Sequence, residues 1–405
     1  MKRIDQCRVC KSKKLVEFLD LGKQPLANSL LDSPTQKEKF YPLSLSFCVK
    51  CSLVQLNHTA DPEELFKSYV WVTATSSTAK NHAEVFAKNI ITKVKDLKKG
   101  YVLEAASNDG TFLIPFLKKG YKVLGVDPAK NIAEQADSEG IPTRAEFFGT
   151  KEARKIKKKY GPAKVFIARN VMPHVANLHD FVKGMSVVLE DEGLLALEVH
   201  YAKKIYEELH YDSVYHEHLC YFTVKSFETL LNNNGMFIED IKTSPISGGS
   251  LVIYARKGEI KELPIVQKYR DNEEKIKINE LKSWQEFSIK VVEHKKLLID
   301  LISKSKGRVV GYGASARSST LLNYCQIGPK EISVIIDQNP LKQEKYTAGT
   351  HILIESAEKV MRRKTDTVII LAWNFKDEII EFLKKQYNYQ GKYIIPLPNN
   401  PEEIL

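Results

Sequence analysis

The chain has 405 residues, of which 43% are hydrophobic and 27% charged, and its formal net charge is +11. That length is too great for one ordinary core and predicts two or three domains, while the apolar fraction excludes a disordered chain. The basic residues are spread over several helix faces, so the charge suits an anionic small ligand without requiring nucleic acid.

Residues 1–60 open with Cys7-x-x-Cys10 and later carry Cys48-x-x-Cys51. Each pair supplies two sulfurs from one tight turn, and two matched pairs complete a tetrahedral zinc site. All four ligands come from protein, which predicts a structural metal rather than a catalytic one. No signal peptide or long apolar run precedes them. A reducing, cytoplasmic setting is therefore expected, and a disulfide or redox-active dithiol is disfavoured. Cys220 and Cys325 read as small buried residues. Short strand-like runs lie at residues 44–47 and 53–56. Residues 61–99 read mostly as helix, with Asp61-Pro62 as a start signal.

An α/β alternation follows. Strands are expected at 101–104, 122–127, 164–168 and 193–199, with helices starting at Gly110 and spanning 131–140. Short apolar runs separated by helices imply a buried parallel sheet. Residues 259–305 predict a connecting helix pair, with Leu281, Trp284, Phe287, Ile289 and Val292 as its apolar positions. A second α/β unit begins at Arg308 and has later strands at 333–337, 367–371 and 392–396. The fold class is α/β with two Rossmann-like units in series. The expected domains are 1–60 (zinc-binding), 61–258 (cofactor-binding), 259–300 (helical connector) and 301–405 (second Rossmann-like unit).

The turn Glu104-Ala-Ala-Ser-Asn-Asp-Gly110 joins the first strand to its helix. It is acidic and lacks the G-x-G-x-x-G pattern that lets a pyrophosphate approach. An acidic turn suits an ammonium or sulfonium group. Asp127 ends the second strand, where a carboxylate can hold a ribose diol. Together they point to S-adenosylmethionine. Tyr215-His-Glu-His218 offers an imidazole base, a carboxylate to hold its tautomer and a phenol to donate to an enolate oxygen. Its spacing is not that of a zinc-protease helix. Gly311-x-Gly313 resembles a dinucleotide turn but lacks the third glycine, so a substrate nucleotide is preferred there over NAD.

These motifs in order resemble the sugar C-methyltransferase family over nearly the whole chain. The matching stretches include Leu21-Gly-Lys-Gln-Pro-Leu-Ala-Asn28, Ser107-Asn-Asp-Gly-Thr111, Gly125-Val-Asp-Pro128, Asn170-Val-Met-Pro-His174, Tyr215-His-Glu-His218, Gly248-Gly-Ser250, Gly311-Tyr-Gly-Ala314 and Trp373-Asn-Phe375. The resemblance implies methyl transfer from S-adenosylmethionine to C3 of a nucleotide-linked 4-keto-deoxysugar. His218 would be the general base, with Tyr215 and Glu217 orienting and stabilising the enolate. His174 would approach from the loop after the fourth strand, and Tyr69 would lie over the site. The expected cofactor contacts are Glu104, Ser107, Asn108, Asp109, Gly110, Asp127 and Asn170. The expected contacts to a dTDP- or GDP-linked substrate are Gly311, Gly313, Ser315, Arg317, Asp337 and Tyr346. Ala106 stands where the family turn commonly has glycine, and Arg317 where lysine is expected. No nucleic-acid or membrane partner is expected, and a monomer is. The competing reading is a zinc-ribbon nucleic-acid-binding protein or RNA methyltransferase; a binding-incompetent scaffold is the third.

Overall fold

The computed structural model describes residues 1–61, 65, 77–244, 248–258 and 260–405. Tyr69, expected over the site, lies outside the described residues. No helix among the described residues is long and apolar enough to cross a membrane.

The N-terminal unit is a four-stranded antiparallel sheet. Leu15–Gln24, Tyr41–Cys48 and Val54–Leu56 pair in sequence. Its fourth strand is Cys220–Tyr221, which comes from the middle of the chain and pairs with Val54–Leu56. Leu19, Leu21, Leu43, Leu45, Phe47, Val54 and Leu56 are buried apolar residues on its strands, a small core of the kind that a metal commonly supplements.

The central unit is a seven-stranded sheet. In spatial order its strands are Met236–Ser244, Ser250–Lys257, Leu189–His200, Ala163–Arg169, Tyr101–Ala105, Lys122–Asp127 and Thr143–Ala145. The last five run parallel, and Ser250–Lys257 is antiparallel to both of its neighbours. Tyr101–Ala105 is buried along its whole length, as expected of a strand with helices over both faces. Chain order reverses between Tyr101–Ala105 and Ala163–Arg169. In such sheets the ligand crevice opens at the carboxyl ends of the two strands where order reverses. The helix expected to start at Gly110 begins later, at Ile114–Lys118. Asn108 and Gly110 take left-handed φ angles of 51° and 74°, and the Asp109 carboxylate accepts from the Thr111 amide. The turn is therefore held open before the helix can start.

The connector is two helices, Pro264–Lys275 and Leu281–Ser303. The first packs on Met236–Ser244 and the second on Leu15–Gln24. The buried stripe of the second helix is Trp284, Phe287, Val291 and Leu298. Ile289 and Val292, expected in that stripe, face outward. The C-terminal sheet runs Ile354–Glu355, Ile335–Ile336, Val309–Tyr312, Thr367–Ile370, Lys392–Ile395 and Glu402–Ile404, parallel except for the last strand. Its order reverses between Val309–Tyr312 and Thr367–Ile370, which makes a second crevice. One continuous set of buried side chains, from Cys7 to Leu397, joins all the units.

Candidate active site

The four predicted metal ligands converge. Cys7 Sγ lies 3.5 Å from Cys51 Sγ, and Cys10 Sγ lies 3.5 Å from Cys48 Sγ. All four sulfurs lie within 4.8 Å of one another. Zinc–sulfur bonds of about 2.3 Å at tetrahedral angles place sulfurs roughly 3.8 Å apart, so the cage fits zinc. The two knuckles repeat one geometry. Lys11 and Ser52 follow the second cysteine of each pair, both with left-handed φ. Each donates its amide to the carbonyl of the first cysteine, Cys7 or Cys48.

The acidic turn forms the first crevice. Asp127 accepts from the Asn108 amide with Oδ2 and from the Ala129 amide with Oδ1, both at 2.9 Å. Burial raises its pKa, and those two amides oppose the rise. Ala106 takes φ 54°, which explains why glycine is usual there: an L side chain in that region costs about 1–2 kcal/mol. Two buried polar atoms, Glu104 Oε2 and Ser107 Oγ, have no hydrogen-bond partner among the described residues. Burial pushes the Glu104 carboxyl up to about 8, although Arg169 pulls it down. Asn170 follows the fourth strand with φ 51° and donates its amide to the Glu198 carbonyl. These residues suit a cationic ligand with a ribose, the chemistry of S-adenosylmethionine.

Beside this crevice lies a buried ionic network that no motif announces. Glu198 Oε1 accepts from His82 Nε2 at 2.8 Å and from Ser244 Oγ at 2.5 Å; its Oε2 accepts from Arg169 Nε at 3.0 Å. Burial alone would raise the Glu198 pKa, but these donors bring it down to about 2. The Arg169 guanidinium also stacks on Phe112 and reaches within 3.7 Å of Glu104.

The tetrad Tyr215 to His218 lies in an irregular turn rather than a strand. His218 Nδ1 lies 3.0 Å from the Ser213 carbonyl. A carbonyl only accepts, so Nδ1 carries the proton and Nε2 is the basic nitrogen. The Tyr215 hydroxyl donates to that Nε2 at 2.7 Å. Burial, helped by His174 and Arg317, holds His218 well below the usual imidazole range. It is therefore neutral, as a base must be. The His174 ring meets His218 edge-on at 4.8 Å, and burial lowers its pKa to about 4. His174 comes from the 3-10 turn Met172–His174 after the fourth strand.

Glu217 does not hold the His218 tautomer; the Ser213 carbonyl does. Glu217 Oε1 instead accepts from Asn28 Nδ2 at 2.6 Å. Burial pushes its carboxyl up to about 7. Asn28 lies in the segment that joins Leu15–Gln24 to Tyr41–Cys48, between the two cysteine knuckles, so the zinc unit reaches into the site. His216 turns the other way, with its ring 6.0 Å from that of Tyr41.

In the C-terminal crevice Gly313 has φ 100°, and a Cβ there would meet Ala372 Cβ at 2.5 Å. Only glycine fits this turn without displacement. Asp337 accepts from the Ala314 and Asn339 amides. Ser315 caps the following helix, Ala316–Cys325. Arg317 Nη2 donates to Asp212 Oδ1 at 3.1 Å, and its guanidinium lies 4.6 Å from the Trp373 ring centre. Tyr346 is fixed by backbone pairing with Leu31 of the N-terminal unit. Sequence reasoning missed Asp212, and it missed His200 and His210, whose rings stack at 5.8 Å beside the crevice. The matched Gly248 was the nearest signal: a Cβ there would lie 3.3 Å from both His210 and Trp373.

Comparison with known proteins places this geometry in a family. A model of the C-methyltransferase C-terminal domain matches residues 245–398, one of a zinc binding domain matches 7–66, and one of a methyltransferase domain matches 79–239. C-methyltransferase NovU of Streptomyces niveus is 30% identical over 403 residues, 98% of this chain and 96% of that one. Among solved structures, an S-adenosylmethionine-dependent methyltransferase of Anabaena variabilis is 16% identical, with TM-score 0.38 over 48% of this chain and 91% of its own. The magnesium protoporphyrin IX methyltransferase of Synechocystis is 14% identical, with TM-score 0.33 over 48% of this chain and 88% of its own. Scores this low add nothing to the assignment, which rests on the full-length relative and on the three domain matches. The chain belongs to the S-adenosylmethionine-dependent C-methyltransferase family with an N-terminal zinc-binding domain.

Proposed function

We propose that the enzyme methylates C3 of a nucleotide-linked 4-keto-deoxysugar through an enolate, in the cytoplasm. The observation that carries this reading is the buried, neutral His218, with Nδ1–H on a carbonyl and Nε2 on the Tyr215 phenol. A neutral imidazole can take the weakly acidic proton beside a ketone. A phenol at that spot can donate to the oxygen on which charge develops. The second crevice, with Gly313 and Asp337, suits the nucleotide half of such a substrate, since backbone amides and a strand-end carboxylate recognise phosphate and ribose.

S-adenosylmethionine supplies an electrophilic methyl group; Glu104, Ser107 and Asp127 are the residues that would hold it. The protein's part is to remove one proton, stabilise the resulting charge and exclude water. His218 Nε2 gains the carbon-bound proton, and its imidazolium is stabilised by the Ser213 carbonyl. As Nε2 takes that proton, the Tyr215 hydroxyl gives up its bond to Nε2 and donates to the enolate oxygen. Glu217, held by Asn28, and His174 line the same space. We assign the zinc a structural role and the chain a single-subunit active site.

The test is a panel of dTDP- and GDP-linked 4-keto-deoxysugars incubated with purified protein and S-adenosylmethionine. Mass spectrometry reads methyl gain, and NMR reads its position. A methyl on C3 of a keto sugar is expected. Methylation on oxygen, or of RNA in place of every sugar tested, would overturn the proposal.

A further inference from the structure

The 3-10 turn Tyr211–Ser213 precedes the catalytic tetrad, and it is anchored outside its own unit. The Tyr211 hydroxyl meets His294 Nδ1 at 3.0 Å, and His294 Nε2 meets the Pro396 carbonyl at 2.6 Å. The Val214 carbonyl accepts from Thr320 Oγ1 at 2.8 Å. Between them Asp212 is only 1% exposed. Its Oδ1 accepts from Arg317 Nη2 at 3.1 Å and its Oδ2 from Trp373 Nε1 at 2.8 Å. Arg317 lies just beyond the glycine turn of the C-terminal sheet, and Trp373 just beyond the strand Thr367–Ile370. The two loops that flank the second crevice thus grip one carboxylate. The next residue, Ser213, presents the carbonyl that accepts a hydrogen bond from His218 Nδ1–H.

We propose that Asp212 is a positioning residue: through Arg317 and Trp373 it fixes the Ser213 carbonyl, and that carbonyl selects the tautomer of His218. The catalytic consequence rests on the reading of His218 as the base; the structural consequence does not. A buried carboxylate with two charge-assisted or indole donors in fixed directions defines the local backbone far better than an exposed one. Without it, the peptide between Ser213 and Val214 loses the restraint that aims its oxygen, the Ser213 carbonyl, at the imidazole. His218 Nε2 can then carry the proton, and the base faces the substrate in the wrong form. The same carboxylate also ties the base to the crevice read as the nucleotide site.

The test is heteronuclear NMR of the full-length protein carrying isotope-labelled histidine, with the His218 signals assigned by their loss in His218→Ala. In the wild type the Nδ1-protonated form should dominate. In Asp212→Ala the other tautomer should gain population, and turnover of a dTDP-linked 4-keto-deoxysugar should fall roughly 10–100-fold, the range for a misplaced catalytic group. KM for that sugar should move far less than kcat. Trp373→Phe, which keeps the ring and removes only the N–H, should shift both readouts the same way by less, and it decides the matter if Asp212→Ala does not fold. Unchanged His218 signals in a folded variant would overturn the proposal even if activity fell. If the tautomer shifts but His218→Ala still exchanges the sugar proton at the wild-type rate, the positioning stands and the assignment of the base fails.

Discussion

Glu217 should make the protein less stable as pH rises, and Glu217→Gln should abolish that dependence. The side chain is 6% exposed, and its pKa moves from 4.5 to about 7 because burial disfavours the charged form. At 1.36 kcal/mol per pH unit, the ionised form is disfavoured in the folded state by about 3 kcal/mol. The sign follows from which state holds the proton. Below the unfolded pKa both states are protonated and the group contributes nothing. Between 4.5 and about 7 the unfolded chain ionises first, so stability falls with pH. Above the folded pKa the whole penalty is present. Glutamine keeps an oxygen for Asn28 Nδ2 and has no charge to bury. The variant should therefore match the wild type near pH 4 and exceed it near pH 8 by up to about 3 kcal/mol. For one cooperative unit of this length, with an unfolding entropy of about 2.1 cal/mol/K per residue, that is roughly a 4 °C rise in Tm. The continuous core supports cooperative unfolding. Calorimetry on both proteins at the two pH values measures it. A variant less stable than the wild type near pH 8, or a gap that does not close in acid, would refute the reasoning. On the role proposed for Glu217, the stabilised variant should also be the slower enzyme.

His218→Ala should lose about 10²–10⁴-fold in rate, the usual contribution of a general base. Solvent-deuterium exchange at the acceptor carbon should fall with it, and wild-type exchange in an inactive variant would move the role to another residue. Asp127→Ala should weaken S-adenosylmethionine binding by about 1.5–3 kcal/mol, the range for bonds to a charged group; titration calorimetry finding unchanged affinity would reject the assignment. Elemental analysis should find one zinc per chain, and chelation should abolish activity as well as loosen the N-terminal sheet. A chelated protein that keeps full turnover would contradict the link drawn from Asn28 and Cys220–Tyr221.

Much of the fold was legible because its signals are local. The apolar runs at 101–104, 122–127 and 164–168 each became a buried parallel strand, and each cysteine pair set its own knuckle. The turn residues Gly110, Asp127 and Gly313 could be named because one position alone demands a left-handed φ or a strand-end carboxylate. What stayed hidden depends on packing between distant segments. Nothing near Glu217 predicts that its partner is Asn28, because 189 positions separate them. The tautomer of His218 was expected from the adjacent Glu217, yet a backbone oxygen sets it, and backbone oxygens leave no trace in a sequence. Glu198 lies inside an apolar strand that reads as pure core, and its hydrogen-bond donors His82 and Arg169 come from two other elements. Ile289 and Val292 matched a helical period but face outward, because the second connector helix presents Val291 and Leu298 to its neighbours instead.

On the reading proposed for His218 and Glu217, the topology gives the zinc unit a part in the chemistry without giving the metal one. Cys220–Tyr221 begins two residues after His218 and is hydrogen-bonded into the N-terminal sheet through Val54–Leu56. That strand lies next to Cys51 in the chain. A sheet with so few apolar residues holds its shape only if its two knuckles are pinned. Asn28 hangs from the loop between those knuckles and sits on Glu217. At the other end of the tetrad, Tyr211, Asp212 and Val214 are bonded to the connector and to the C-terminal unit. The turn that carries His218 is thus suspended between the two flanking units, while the central unit supplies His174, whose ring meets that of His218. A short irregular segment cannot fix a base to within a fraction of an ångström by its own hydrogen bonds. Fastening both its ends to separately packed sheets does so, and this gives a physical reason for the three parts to share one chain.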